Sequence, residues 1–231
     1  LDLIGHGQGD AGNNRGGWDY NPNDNLPYQS DMSINSWAYV AMEGLFVTFG
    51  IDIPDWILRE CEHSLIFHQL NVPGPVPFGY RGPLRLLSPV DGHATTGGGL
   101  SGLYAVVLSG PQLTGGAVIG LEPPPLNTIG AKRQAALEYL GEQWGQPGCG
   151  LGSGNLGNTY AMWTVARALR LTAFGLGLPS GDVVQLSNAG VLFDWETGEE
   201  NGTGNLAAPG SARDGCFAFL VRTQMQEPLN S

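Results

Sequence analysis

An aspartate and a cysteine two residues apart, Asp214 and Cys216, stand at the start of the apolar run in the stretch DGCFAFL. A carboxylate and a thiolate at this spacing can both bind Zn²⁺, but a catalytic zinc site needs a third protein ligand. All four histidines of the chain precede this pair, and none follows Cys216. The alternative is that Asp214 caps a helix and Cys216 is a small core residue. We expect this alternative, and therefore no zinc at this position.

A second oxygen-rich stretch, DYNPNDNLPYQSD, begins at Asp19. Four of its side chains are spaced like the first ligands of a calcium loop: Asp19, Asn21, Asn23 and Asp24. The stretch lacks the central glycine of such a loop, and Ser30 stands where a bidentate glutamate is needed. Asx turns in a proline-rich loop account for the same residues. No metal or other cofactor is therefore expected.

Composition bounds the class of protein. The 231 residues are 42% hydrophobic and only 13% charged, which is typical of a folded chain, and we expect one domain over residues 1–231. The formal net charge is −11, and Lys132 is the single lysine, so the chain offers no basic surface for nucleic acid. No apolar run approaches the roughly 20 residues of a membrane span.

Along the chain, loops rich in glycine and aromatic residues alternate with apolar helical runs, and the pattern recurs as a loose repeat. Runs that are apolar on most faces predict inner helices near 34–49, 94–109, 157–174 and 212–226. Runs with one apolar face predict outer helices near 54–70 and 129–144. In the last of these, Lys132, Glu138 and Glu142 are expected to point outward. Residues 1–33 are expected to be a loop segment, and GDVVQLSNAGV is a weaker helix candidate.

The repeat resembles the prenyltransferase and squalene-cyclase repeat superfamily. The segments that carry the resemblance span about residues 16–226: GGWDY before DMSINSWAYVAM, FGYR before ATTGGGLSGLYAV, then GNTYAMWTVARAL and DGCFAFLVRTQ. The resemblance implies an all-α fold, an α/α toroid or a partial toroid (arc) of helical-hairpin repeats with long Gly/Pro-rich loops. It also makes Asp214 and Cys216 similar to the zinc ligands of protein prenyltransferases, whose third ligand is a downstream histidine.

Other catalytic motifs of similar proteins are incomplete. Triterpene cyclases of the superfamily use an acidic D-x-D-D run, for which the chain offers only Asp91 beside His93. Thioester domains of the α-macroglobulin type need a glutamine three residues after a Cys-Gly pair. Here Gly152 holds that place after Cys149. These departures favour a chain without enzymatic activity.

Aromatic residues recur where loops pass into helices. Four of them could line a cavity for an apolar ligand such as an isoprenoid: Trp37, Tyr104, Trp163 and Phe217. Aromatic rings at helical spacing more often belong to the core. Trp37 and Trp163 hold equivalent places in two repeats, and we expect them to be core anchors whose truncation costs roughly 3–5 kcal/mol.

These observations predict a noncatalytic prenyltransferase/squalene-cyclase-like repeat module that acts in binding or self-assembly. The alternative is an isoprenoid-processing enzyme with an unrecognised active site. The count of predicted helices is too small to close a toroid, so the expected partner is a second copy, in a head-to-tail homo-oligomer, or another protein. The cellular location stays open, with an extracytoplasmic or secreted one favoured over the others.

Overall fold

The structure is a computed structural model that describes residues 2–10, 12, 15–20, 30–70, 72–82, 92–107, 128–145, 156–179 and 182–226. In chain order the helices are α1 (Asp2–Gly7), α2 (Met32–Glu43), which continues as a π-helical turn (Gly44–Thr48), α3 (Asp55–His68), α4 (Gly92–Val107), α5 (Ile129–Gln143), α6 (Thr159–Gly175) and α7 (Cys216–Gln226). The strands are β1 (Gln185–Asn188), β2 (Val191–Asp194), β3 (Glu199–Glu200) and β4 (Asn205–Leu206).

The expectation of an all-α toroid is wrong, because the four strands form an antiparallel sheet in the order β1-β2-β3-β4. The candidate helix GDVVQLSNAGV is instead the first half of a hairpin in which Leu186 pairs with Phe193. Both residues of its two-residue turn, Ala189 and Gly190, have positive φ. This conformation matches the twist of the paired strands and ends any helix. The short helix α1 also lies within the segment that was expected to be a loop.

Three of the helices, α2, α4 and α6, lie side by side with α4 in the middle. Gly98 of α4 approaches Ser36 of α2, and Gly102, one turn later, approaches Tyr39, one turn after Ser36. The two helices therefore run in the same direction. Contacts from α4 to α6 also advance together, since Ser101 meets Arg167 and Tyr104 meets Phe174. The three helices are parallel, and α3 and α5 also pack against α4.

Close packing around α4 depends on its glycines. A Cβ built on Gly97 would lie 2.7 Å from the carbonyl carbon of Thr164, and one on Gly102 would lie 2.6 Å from the ring of Tyr39. Real Cβ atoms do not come this close to a neighbour. The sequence GGGLSG thus lets α4 approach the backbone of α6 and gives the Tyr39 ring of α2 room to pack on α4.

The sheet is attached to the helices through the end of α5. The Asn188 side chain donates to the carbonyl oxygens of Gly141 and Glu142, which satisfies acceptors left open at a helix C-terminus. Beneath it, the buried ring of Trp144 packs on Phe193 and Trp195. The hairpin therefore extends the hydrophobic core instead of standing apart from it.

Six of the helices begin and end within about four residues of the predicted ranges, as expected for boundaries read from one sequence. The prediction that Lys132 points outward is wrong, because it is buried in the first turn of α5. The buried side of α5 therefore includes Lys132 as well as the predicted apolar residues Ala136 and Leu140. Within the described ranges, no helix combines the length and apolar character that a membrane crossing needs.

We predict that Gly97→Ala destabilises the fold by about 1–3 kcal/mol, because the new methyl group meets backbone atoms of α6 that have no room to move. The matched control is Gly44→Ala, where a Cβ meets nothing within 4 Å and φ is −58°. That variant should be neutral or slightly stabilising. Urea unfolding of both variants measures the difference, and equal midpoints would contradict the packing described for α4.

Candidate functional site

One face of α6 presents residues spaced three and four apart, so that they line up along the helix. We call this set the α6 stripe: Tyr160, Trp163, Arg167, Arg170 and Phe174. The opposite face, with Val165 and Leu169, is buried against the core. Trp163 is 41% exposed and Phe174 is 71% exposed. The helix thus shows solvent a row of aromatic and arginine side chains.

The ring of Trp163 stacks on Trp37 of α2, with centroids 5.1 Å apart and planes 28° from parallel. Tyr160 stacks on the same indole at 6.5 Å. Trp37 is 53% exposed, so the expectation that Trp37 and Trp163 are core anchors is wrong. The two tryptophans pair with each other at the surface.

Both arginines of the stripe are ion-paired. Arg167 pairs with Glu43 of α2 and also donates to the Ser101 hydroxyl of α4, so it joins the three parallel helices. Arg170 pairs with Glu196 after β2 at 3.0 Å. Each positive charge on this face is therefore balanced locally by a carboxylate.

The other aromatic candidates also contact the stripe. The guanidinium of Arg170 lies over the ring of Phe217, the second residue of α7, at 5.8 Å. Tyr104 of α4 meets Phe174 edge to face at 6.1 Å but is itself buried. Phe217 is 43% exposed. Three of the four predicted residues, Trp37, Trp163 and Phe217, are thus partly exposed on one surface, whereas Tyr104 is buried beneath Phe174.

Phe217 continues into an exposed apolar edge on α7. Leu220 and Val221 are exposed and lie three and four residues after Phe217, on the same side of the helix. We call the α6 stripe, Trp37 and these three α7 residues the α6–α7 face.

Asp214 and Cys216, the two candidate zinc ligands, are both buried. The Asp214 carboxylate pairs with Arg222 of α7 and accepts from the Gly210 amide at 2.8 Å, so it anchors the preceding loop and does not cap the helix. Burial, with nearby Glu196 and Asp214, raises the pKa of the Cys216 thiol to about 12. The thiol is therefore protonated at neutral pH.

In the oxygen-rich stretch that begins at Asp19, one candidate calcium ligand lies in the described part of the chain. The Asp19 carboxylate accepts from the Tyr20 amide at 2.7 Å, while Asn21, Asn23 and Asp24 lie outside the described residues. Asp91 and Cys149 also lie outside them. In the described part of the chain, no three His, Cys, Asp or Glu side chains converge to hold a metal ion.

A serine and a histidine that the sequence did not point to form a hydrogen-bonded pair in the core. His68 Nδ1 is 2.9 Å from the carbonyl of Gly79, so this nitrogen must carry the proton, and Nε2 accepts from the Ser30 hydroxyl at 2.8 Å. Burial lowers the pKa of His68 to about 4. The pair resembles a nucleophile and its base, but neither residue is exposed to solvent. It connects two loops in the interior.

Comparison with family models, with curated proteins and with solved structures finds no match. The resemblance to prenyltransferase and squalene-cyclase repeat proteins therefore rests on the sequence motifs alone.

Sequence reasoning found three of the exposed aromatics but missed Arg167, Arg170 and Phe174. The signal was present in TYAMWTVARALRLTAFG, where Tyr160 and Trp163 begin a row that continues at the spacing of a helix face. Because small and aromatic residues lie on most faces of this run, its pattern predicts a helix buried on more than one side.

We predict that Trp37→Ala and Trp163→Ala each destabilise the chain by about 1 kcal/mol, because each variant loses one aromatic contact and little buried area. The double variant should lose less than the sum of the two, because the rings contact each other. Trp144→Ala, which empties a fully buried site, should cost about 3–5 kcal/mol. Denaturant unfolding tests all four, and surface variants as costly as Trp144→Ala would show that the indoles are core residues.

We predict that Cys216 resists alkylation by iodoacetamide at pH 8 in the folded chain, because its raised pKa and its burial both keep the thiolate rare. Mass spectrometry of a Cys149→Ser variant should show no label at Cys216 until denaturant is added. Rapid labelling of Cys216 in the native chain would show an accessible thiolate and restore a metal-binding or catalytic interpretation.

Proposed function

We propose that the chain is a noncatalytic module that self-associates through the α6–α7 face. The observation that carries the proposal is the half-exposed stack of Trp37 on Trp163. Folded monomers rarely leave large aromatic side chains grouped at the surface without an interaction to serve. Tryptophan, tyrosine and arginine are also the residues that dominate binding energy at protein interfaces, and the α6 stripe contains all three.

The face is organised before any partner arrives. The indole rings hold each other in place, and Arg167 and Arg170 are fixed by Glu43 and Glu196. Ordering flexible side chains is a main cost of association, so rings and guanidinium groups that are already ordered lower this cost.

The charge distribution favours a second copy as the partner. The chain carries a net charge of −11, but the sequences of α6 and α7 contain no Asp or Glu. Two copies that meet through an acidic surface repel each other, whereas the α6–α7 face is locally neutral. Repulsion between the remaining charges is screened beyond about 8 Å at physiological salt. Burial of apolar area at about 25 cal/mol per Å² then drives the contact.

The same face on both copies gives a two-fold contact that closes at a dimer. This replaces the expected head-to-tail contact, which depended on the two different ends of an all-helical arc. The acid-base and metal chemistry of an enzyme is not part of the proposal, since the Asp214 carboxylate is held by Arg222 and the Ser30–His68 pair is sealed in the core.

Light scattering over a concentration series tests self-association. The mass should rise from 24.4 kDa toward twice that value, and Trp163→Glu or Leu220→Glu should hold it at 24.4 kDa because a charge enters the contact. Leu192→Glu is the matched control, since Leu192 is an exposed leucine on β2, away from the α6–α7 face. A constant mass in the unmodified chain would overturn the proposal. Growth beyond a dimer would favour head-to-tail contact over the face-to-face one.

A further inference from the structure

A groove of about 320 Å³ opens where α6 ends. Its walls come from the last turns of α6, from the segment that follows the helix and from the turn after β2. The lining residues used below are Arg170, Phe174, Leu178, Asp182 and Glu196. The groove shares Arg170 and Phe174 with the α6–α7 face but contains neither tryptophan of the stack.

The charges around the groove are unbalanced. Glu196 is matched by Arg170 at 3.0 Å, whereas no described residue forms an ion pair with Asp182. The C-terminal end of a helix carries a partial negative charge, which a cation nearby compensates. Helix α6 has no basic residue in its last turn. The last carbonyls of α6 accept from the amides of the segment that follows, so the Asp182 carboxylate is the negative charge of the groove that has no ion-pair partner among the described residues.

The rest of the lining is apolar. Ala173, Leu178, Pro179 and Val183 supply aliphatic walls, and Phe174 supplies a ring that is 71% exposed. Tyr104 meets this ring at 78° between the planes, an edge-to-face contact that leaves a face of Phe174 open. An aromatic face attracts a cation within about 6 Å of its centre, and the attraction grows where water is excluded.

We infer that the groove binds a small organic cation, an ammonium or guanidinium group carried on an apolar body. The charged group pairs with Asp182 near the end of α6, and the apolar body lies against Phe174 and Leu178. The volume is at the lower end of the range for small-molecule pockets, which fits a compact amine better than a folded partner. The acidic character of the whole chain, at −11, raises the local concentration of such a cation.

The test is a titration of the full chain with 2-phenylethylamine, which is protonated at neutral pH, followed by amide shifts in two-dimensional NMR. The matched probes are neutral 2-phenylethanol and anionic 3-phenylpropionate, which keep the ring and change the charge. The amine should shift the amides of Phe174, Leu178 and Val183 at concentrations up to about 10 mM, the range of weak small-ligand binding. The neutral and anionic probes should bind at least about tenfold more weakly, since each loses the charge-assisted bond.

Two variants assign the binding to named side chains. Asp182→Asn keeps the shape of the groove and removes one charge, and it should weaken binding of the amine about tenfold. Phe174→Leu keeps an apolar wall and removes the ring face, and it should weaken binding of the amine more than that of the alcohol. Leu206→Asn, an exposed position on β4 that does not line the groove, is the control and should change nothing.

Several outcomes would overturn the inference. They are equal binding of amine and alcohol, preference for the anion, no amide shifts at 10 mM, or an Asp182→Asn variant that binds the amine as well as the original chain. Binding of a peptide with a lysine between leucines, but not of the free amine, would also overturn it in favour of a protein partner. Arg170 and Phe174 belong to both the groove and the α6–α7 face, so the two proposals are tested separately: a monomeric Trp163→Glu variant keeps every groove residue and should bind the amine.

Discussion

The contact of α4 with its two neighbours is the constraint on which the rest of the structure depends. Gly97 lets the backbone of α6 approach α4 directly, and Gly102 leaves room for the Tyr39 ring of α2 against the backbone of α4. The three helices then run parallel in one layer. A parallel layer places equivalent turns of α2 and α6 at the same height, which is why Trp37 meets Trp163 and Glu43 meets Arg167. The surface chemistry is thus a consequence of backbone packing in the core.

Polar groups inside the chain attach the loops to this layer. Asn35 of α2 donates to the Ser64 hydroxyl of α3 and accepts from the Trp18 amide, while His68 connects Ser30 to the Gly79 carbonyl. A buried polar group without a partner costs more than the hydrogen bond itself contributes. These contacts therefore specify where the loops sit, and they explain why chemically suggestive residues such as Ser30 and His68 have structural roles.

Much of the helical content was predictable, because α3 and α5 carry a clear apolar stripe and α4 and α6 are long apolar runs. The sheet was not, because its strands are only two to four residues long and the turn at Ala189–Gly190 lacks the Asn-Gly signature. Exposure was misjudged for a related reason. An apolar pattern shows that a residue can be buried, but whether Trp37 is covered depends on which neighbours the tertiary fold supplies. Lys132 shows the opposite case. Lysine is usually exposed, so a lone lysine is predicted at the surface, yet the fold buries this one.

The most direct test of the account is circular dichroism of the stacked indoles, because two tryptophans in fixed contact give an exciton couplet that neither gives alone. The buried Trp144–Trp195 pair, with ring centroids 6.5 Å apart, gives its own signal in every variant. The part of the couplet that comes from Trp37 and Trp163 should be present in the original chain and be lost in Trp37→Phe, in Trp163→Phe and in Gly97→Leu, whose side chain forces α6 away from α4. It should persist in Gly44→Leu, where a larger side chain meets open space. A Trp37–Trp163 couplet that survives in Gly97→Leu would contradict the claim that the α4 glycines hold the aromatic face together.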